Sequence, residues 1–239
     1  MPDHRFFLEE QFQKNYQVYL EDAELHHLQH VMRVKEGEVV EIINGKGDLA
    51  QAVVKRFEKH KASLEITQLS SEPLPSHKLI LAQAIPRFPR LEYILEKATE
   101  LGVTEFWLFP TVGSEKKDFS PSQWQRMHQI LISALKQSGR LHMPSLEIKP
   151  PLDVWPKPSM SGFYGSTDPK APPFSRLLSQ GLSKDYLFVI GPEKGLTQGE
   201  ISLCETYSLK GVSLNPNILR VDTAAISAIS ILSSFILVK

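Results

Sequence analysis

Hydrophobic positions follow two different periods along the chain. Before residue 70 the apolar residues alternate or fall in short β-branched blocks, the period of strands. Val39-Val40-Glu41-Ile42-Ile43 predicts one strand. Asn44-Gly45-Lys46-Gly47 predicts the turn after it, because Asn and Gly tolerate positive φ. Residues 49–57 return as a second strand, and Ser63-Leu64-Glu65-Ile66 alternates as a third. Residues 21–33 are the exception and read as a short helical stretch. Beyond residue 78 the pattern changes, and strand-length apolar runs alternate with helix-length ones. Strands are predicted at 79–85, 106–109, 162–164, 186–190 and 212–214. Helices are predicted at 90–101, 120–138, 174–182, 198–207 and 223–237. Ser120-Pro121 offers an N-cap followed by Pro at the first helical position, and Gly102 and Gly139 stand where two helices end. Alternating strands and helices predict a mostly parallel sheet covered by helices.

The break between the two patterns is Ser70-Ser71-Glu72-Pro73-Leu74-Pro75-Ser76, which continues neither a helix nor a central strand. The expected organisation is a β-barrel-like domain over 1–70, a linker over 71–77 and an α/β domain over 78–239. A chain of 239 residues is long enough to bury two such cores. Hydrophobic residues make up 41% and charged residues 23%, so a disordered chain is not expected. The longest apolar stretch, residues 223–238, carries Thr223, Ser227, Ser230, Ser233 and Ser234 and falls short of the roughly 20 residues of a membrane span. Met1-Pro2-Asp3-His4-Arg5 starts no secretion signal. One cysteine, Cys204, allows neither an internal disulfide nor a cysteine-built zinc site, and a reducing cytoplasm is the expected compartment.

Charge adds one distinction. The total is zero, but residues 1–72 carry 9 basic and 13 acidic groups, whereas residues 73–140 carry 9 and 6. The basic segment holds Arg87, Arg90, Lys116, Lys117, Arg126, Lys136 and Arg140. Solvated helix faces account for these as well as a nucleic-acid surface does.

Ligands of open α/β sheets bind beyond the C-terminal ends of strands, which directs the search to three loops. Ile190-Gly191-Pro192-Glu193-Lys194-Gly195-Leu196-Thr197 follows the strongest predicted strand and opens a helix. Thr197 with Glu200 fits a capping box. The loop is neither a P-loop nor a GxGxxG fingerprint, and a tight strand-to-helix turn is the alternative reading. Leu214-Asn215-Pro216-Asn217-Ile218-Leu219-Arg220-Val221-Asp222-Thr223 also joins a strand to a helix. Arg220 and Asp222 are its charged pair, open to a catalytic role or to a surface ion pair at a helix N-terminus. Gly162-Phe163-Tyr164-Gly165-Ser166 is a weaker third. His26 and His30 stand one helical turn apart, but with no third ligand evident no metal is expected.

These pieces together resemble the RsmE family of ribosomal RNA methyltransferases, within the SPOUT superfamily. The resemblance rests on His26-His27-Leu28, Val31-Met32-Arg33, the helix end at 96–103, Gln137-Ser138-Gly139-Arg140, Gly191-Pro192-Glu193, Ile218-Leu219-Arg220 and Asp222-Thr223-Ala224. It implies a PUA-like N-terminal β-barrel and a SPOUT α/β domain with a trefoil knot, working as a homodimer. It also implies S-adenosylmethionine as cofactor and a uridine ring nitrogen 3 in 16S rRNA of the small ribosomal subunit as target. By the same resemblance Tyr164, Gly165, Ile190, Gly191, Pro192, Glu193, Gly195, Leu214, Asn215, Ile218, Leu219 and Thr223 hold the cofactor. Arg220 and Asp222 are the catalytic candidates, with Asp222 orienting Arg220 or accepting a proton. His30, Arg33, Arg87, Arg90 and Arg140 are the RNA-binding candidates. Two positions depart from the family: Lys194 stands where a second glycine is usual, and Asp222 where Glu is usual. Lys194 would be strained if that position needed a left-handed backbone. A family member that binds rRNA without catalysis, or one that acts on another RNA, is the competing reading.

Overall fold

The computed structural model describes residues 4–114, 118–178 and 185–237. The chain divides into two compact units, Met1–Leu74 with Ile132–Met143, and Pro75–Leu131 with Pro144–Lys239.

The first unit contains β1 (Arg5–Phe7), β2 (Gln17–Glu21), α1 (Asp22–His26), β3 (Val39–Ile43), β4 (Asp48–Phe57) and β5 (Lys61–Ser71). Its sheet has the order β1-β3-β4-β5-β2, with β1 parallel to β3 and the other pairs antiparallel. β1 and β2 are its edges, so the expected barrel is an open, curled sheet. Register shifts between Gln51 and Ala52 and between Val54 and Arg56 bend β4, as bulges do. One face buries Phe6, Leu20, Ile42, Ala52, Val54, Leu64 and Ile66. Full burial of side chains such as Ile42 and Leu64 contributes about 1.5–3 kcal/mol each. Asn44 shapes the predicted turn, its Oδ1 accepting from the N–H groups of Lys46 and Asp48 at 2.8 and 3.2 Å. The segment 132–143 joins this unit through Leu135 and Leu141, which pack with Ile43.

Two edge strands escaped the sequence. β1 is three residues long and is anchored by the Arg5 guanidinium on Glu41, 2.7 Å away on β3. β2 runs directly into α1, which masks its alternation. The helical stretch predicted over 21–33 divides into α1 and a π-helical turn at His27–Val31, and it ends at Arg33 with φ +54°.

The second unit contains β6 (Leu79–Ala84), α2 (Phe88–Glu100), β7 (Glu105–Phe109), the start of α3 (Pro121–Ser138), β8 (Ser145–Ile148), β9 (Ser161–Gly165), α4 (Phe174–Leu178), β10 (Tyr186–Ile190), α5 (Gln198–Thr206), β11 (Lys210–Val212) and α6 (Val221–Leu237). The sheet order is β11-β9-β10-β6-β7-β8, with every adjacent pair parallel. β6 and β10 are buried on both faces, which is why they read as continuous apolar runs. α2 packs against α6, and α6 lies against β6 and β10. Cys204 of α5 packs with Ile80, Ala82, Leu187 and Val189.

The predicted strand at 212–214 is displaced to Lys210–Val212. Beyond Val212 the chain leaves the ladder, and the Ser213 N–H donates to Pro172 O at 2.9 Å. β8 was not anticipated, because Ser145-Leu146-Glu147-Ile148 lies at the sheet edge without full burial. α6 begins two residues before the predicted start, which places Asp222 inside its first turn. Of the helix predicted over 174–182, Phe174–Leu178 is observed, and 179–182 lies outside the described residues.

Candidate active site

Parallel pairing sends the chain out of every strand of the large sheet at the same edge. Val212 stands opposite Gly165, Tyr164 opposite Val189, and Ile190 opposite Gln83. The loops after β9, β10 and β11 therefore leave side by side, at the edge where open α/β sheets bind ligands. The three loops singled out from the sequence are brought together.

The loop after β10 folds back on itself. A Cβ at Gly191 would stand 2.9 Å from the Leu196 backbone nitrogen and 3.0 Å from the Gly195 carbonyl carbon, so only glycine fits without moving the loop. The Gly195 N–H donates to Pro192 O at 2.8 Å, closing a turn with Glu193 and Lys194 at its centre. The left-handed residue is Gly195, with φ +75°. Lys194 has no positive φ, and the strain expected of it does not arise. The capping box is present: the Thr197 hydroxyl accepts from Glu200 N–H, and Glu200 accepts from Thr197 N–H at 2.7 Å. The other Glu200 oxygen accepts from the Val112 N–H at 3.3 Å, so the same carboxylate holds the chain after β7.

Leu214–Thr223 is organised by two local bonds. Asn215 Oδ1 accepts from Asn217 N–H at 2.9 Å, and the Ser213 hydroxyl donates to Asn215 O at 3.2 Å. Arg220 O accepts from Ala224 N–H at 2.8 Å, which makes Arg220 the N-cap of α6. Its side chain is exposed and has no partner among the described residues. Asp222 does not orient it. The Asp222 carboxylate accepts from Arg90 Nη1 at 2.8 Å, and Arg90 Nε stands 3.5 Å from Glu193 Oε1. Glu193 Oε1 also accepts from the Arg87 backbone N–H at 3.0 Å. Arg90, expected to meet RNA, is thus committed to two carboxylates of the candidate cofactor loops. That contact joins residues far apart in sequence, and nothing in their spacing signals it.

Tyr164 is buried rather than open to a ligand. Its hydroxyl donates to Glu205 at 3.4 Å and closes over Gly211, and burial raises its pKa above the usual phenol value. Gly165 beside it remains at the edge. Burial also pushes the Cys204 thiol up to about 12, so this cysteine is packing, not a nucleophile. In the first unit His26, His30 and Arg33 are exposed around the π-helical turn, with the two histidine rings 4.9 Å apart. Arg140, in the same unit, is half-buried, and desolvation lowers its pKa from the usual arginine value. Lys116 and Lys117 lie outside the described residues. Among the described residues no cluster of three His, Cys, Asp or Glu could hold a metal, and no helix is long and apolar enough to cross a membrane.

An RNA methyltransferase domain family matches residues 72–233, and an RNA methyltransferase PUA domain family matches residues 20–67. A Synechocystis protein named ribosomal RNA small subunit methyltransferase E is 30% identical over 89% of this chain and 71% of its own length. The chain belongs to this methyltransferase family. A Rickettsia conorii family member of the same name is 28% identical over 96% of this chain and 95% of its own. The crystal structure of the Neisseria gonorrhoeae family member, bound to S-adenosylmethionine, superimposes with a TM-score of 0.85 at 29% identity, covering 98% of this chain and 97% of that one. The family's fold is the one described above, an α/β unit with a parallel sheet and a small curled β unit.

The residues at the sheet edge fit S-adenosylmethionine. Among the described residues the backbone N–H groups of Leu214, Ile218 and Leu219 have no partner. These groups would offer adenine a polar backbone edge, and Ile190, Leu196 and Leu219 on the same loops would offer its ring apolar contact. No charged side chain is needed for either.

Proposed function

We propose that the protein transfers a methyl group from S-adenosylmethionine to ring nitrogen 3 of one uridine in small-subunit ribosomal RNA, acting in the cytoplasm as a homodimer. The observation that carries this reading is the meeting of the loops after β9, β10 and β11 at one sheet edge, with Arg220, unpartnered among the described residues, on the last of them. Bound S-adenosylmethionine supplies an electrophilic methyl group, so no metal is required.

The protein's work is positioning and charge. The loops built on Gly165, Gly191 and Leu214 hold the cofactor through backbone groups. Uridine nitrogen 3 must release its proton, here to solvent, which leaves negative charge on the uracil until the new N–CH3 bond forms and the S–CH3 bond of the cofactor breaks to a neutral thioether. Arg220 is the group suited to that charge: its side chain is exposed, has no partner among the described residues and projects from the N-cap of α6. The positive end of the α6 dipole lies at the same place. Asp222 is tied to Arg90, which leaves Arg220 free to meet RNA. In the first unit, His30 and Arg33 are exposed, which supports RNA contact there, with Arg33 suited to phosphate. The target base must leave its stack to reach a cofactor held in loops. For the dimer, α6 carries the half-exposed apolar residues Ile226, Ile231 and Ile236.

Two measurements on Arg220→Ala test this reading. Calorimetry with S-adenosylmethionine should give wild-type-like binding, while methyl transfer to small subunits should fall at least 100-fold. Near-normal transfer would remove Arg220 from the chemistry. Failure of the wild-type protein to bind the cofactor would overturn the proposed reaction.

A further inference from the structure

We propose that Arg90 is a positioning residue for methyl transfer: it ties Glu193 of the loop after β10 to Asp222 at the start of α6, and so sets the spacing of two cofactor loops. This rests on the reaction proposed above and assigns Arg90 a part in it other than RNA contact.

Arg90 sits in the first turn of α2. Nη1 donates to Asp222 Oδ1 at 2.8 Å, and Nε stands 3.5 Å from Glu193 Oε1. The three side chains retain only 24–32% of their exposure, so water screens them less than it screens a surface pair. The loop after β10 is held at two further points of the same connection. Arg87 N–H donates to Glu193 Oε1 at 3.0 Å. Gln83 Nε2, fully buried on β6, lies 3.4 Å from Gly191 O. Among the described residues the start of α6 has no such backbone tie to the loop after β10, and Arg90 links them through Asp222.

Guanidinium geometry explains the residue type. Donors on two sides of one planar group meet carboxylates from two elements at once, which a lysine point charge does not do. Backbone groups cradling a ligand act only at fixed separation, and a misplacement of about 1 Å at such a site can cost about 100-fold. Asp222 in the first turn of α6 also favours the helix dipole, so Arg90 joins an element already stabilised there.

The test uses the full-length protein in Arg90→Ala, Arg90→Lys, Asp222→Asn and Arg90→Ala/Asp222→Asn forms. S-adenosylmethionine affinity is read by calorimetry, small-subunit binding by filter retention across salt concentrations, and transfer by KM for each substrate. Arg90→Ala and Asp222→Asn should each raise the cofactor Kd and its KM about tenfold, with RNA affinity and its salt slope unchanged. The double variant should be no worse than either single one, because both remove the same tie. Arg90→Lys should recover the cofactor Kd only in part. Asp222→Asn preserves side-chain shape and keeps the test decisive if Arg90→Ala fails to fold. Two results would overturn the proposal: additive losses in the double variant, or unchanged cofactor affinity with weaker RNA binding and a salt slope reduced by about one, the mark of a phosphate contact. If the wild-type protein binds no cofactor, the proposed reaction itself fails, and that outcome is distinct from both.

Discussion

Gly191 shows how a single atom controls the candidate site. A Cβ there would press on the backbone of Leu196 and Gly195 at 2.9 and 3.0 Å, and backbone cannot step aside as a flexible side-chain tip can. Gly191→Ala should therefore displace the loop and raise the cofactor Kd at least tenfold, with the protein still folded by circular dichroism. Unchanged affinity would mean that this loop does not hold the cofactor. Lys194 is the converse case. Its departure from the family pattern suggests strain from sequence alone, but the left-handed backbone falls one residue later, on Gly195. Single residues were legible where the requirement is local, as with the Thr197–Glu200 capping box. They were not legible where the partner is distant: Arg90 and Asp222 are 132 positions apart, and no local rule distinguishes their pairing from a free arginine near RNA.

Helix starts and strand ends set the geometry of the loops. Glu200 accepts from Thr197 at one oxygen and from Val112 at the other, so one carboxylate caps α5 and anchors the chain after β7. Glu200→Ala should cost about 1–2 kcal/mol of stability, the scale of a lost cap, and urea titration measures it. A loss below about 0.3 kcal/mol would contradict the dual role. Elements with a strong period were readable in advance: β6 and β10 as apolar runs, α3 from Ser120-Pro121. Short edge strands were not. β1 and β8 are three and four residues long, and they owe their existence to the neighbours they pair with rather than to their own pattern. The early start of α6 has a functional consequence, since it makes Arg220 the N-cap and turns Asp222 toward Arg90 instead of Arg220.

For the whole molecule, the division of labour follows two units with different chemistry. The parallel sheet gathers the candidate cofactor loops at one edge, and the π-helical turn of the first unit and the residues just after it carry exposed His30 and Arg33. Net charge is zero, so the proposed RNA binding would rest on local groups, with Arg220 and Arg33 as the candidates. Stability should also depend on pH through His27, whose pKa is lowered first by burial and then by Lys136. The folded protein then binds fewer protons at this histidine than the unfolded chain does. The His27 contribution is fully present above the ordinary histidine value near 6.5 and is lost as pH falls from there through the lowered value of the folded state. Thermal melts of His27→Gln should show a shallower loss between pH 7 and about 5.5 than wild type, and parallel curves would contradict this. The linkage depends on a fold that carries His27 beside Phe6 in the first unit, which no sequence period reveals.

In the proposed reaction the cofactor methyl goes to one uridine nitrogen of the small ribosomal subunit. The direct measurement is to incubate the protein with methyl-labelled S-adenosylmethionine and small subunits from cells lacking the modification, then digest the RNA and identify the labelled nucleoside. The proposed reaction gives 3-methyluridine at a single position of 16S rRNA, lost in Arg220→Ala. Label in a different nucleoside, or in none while the protein binds both cofactor and subunit, would contradict it.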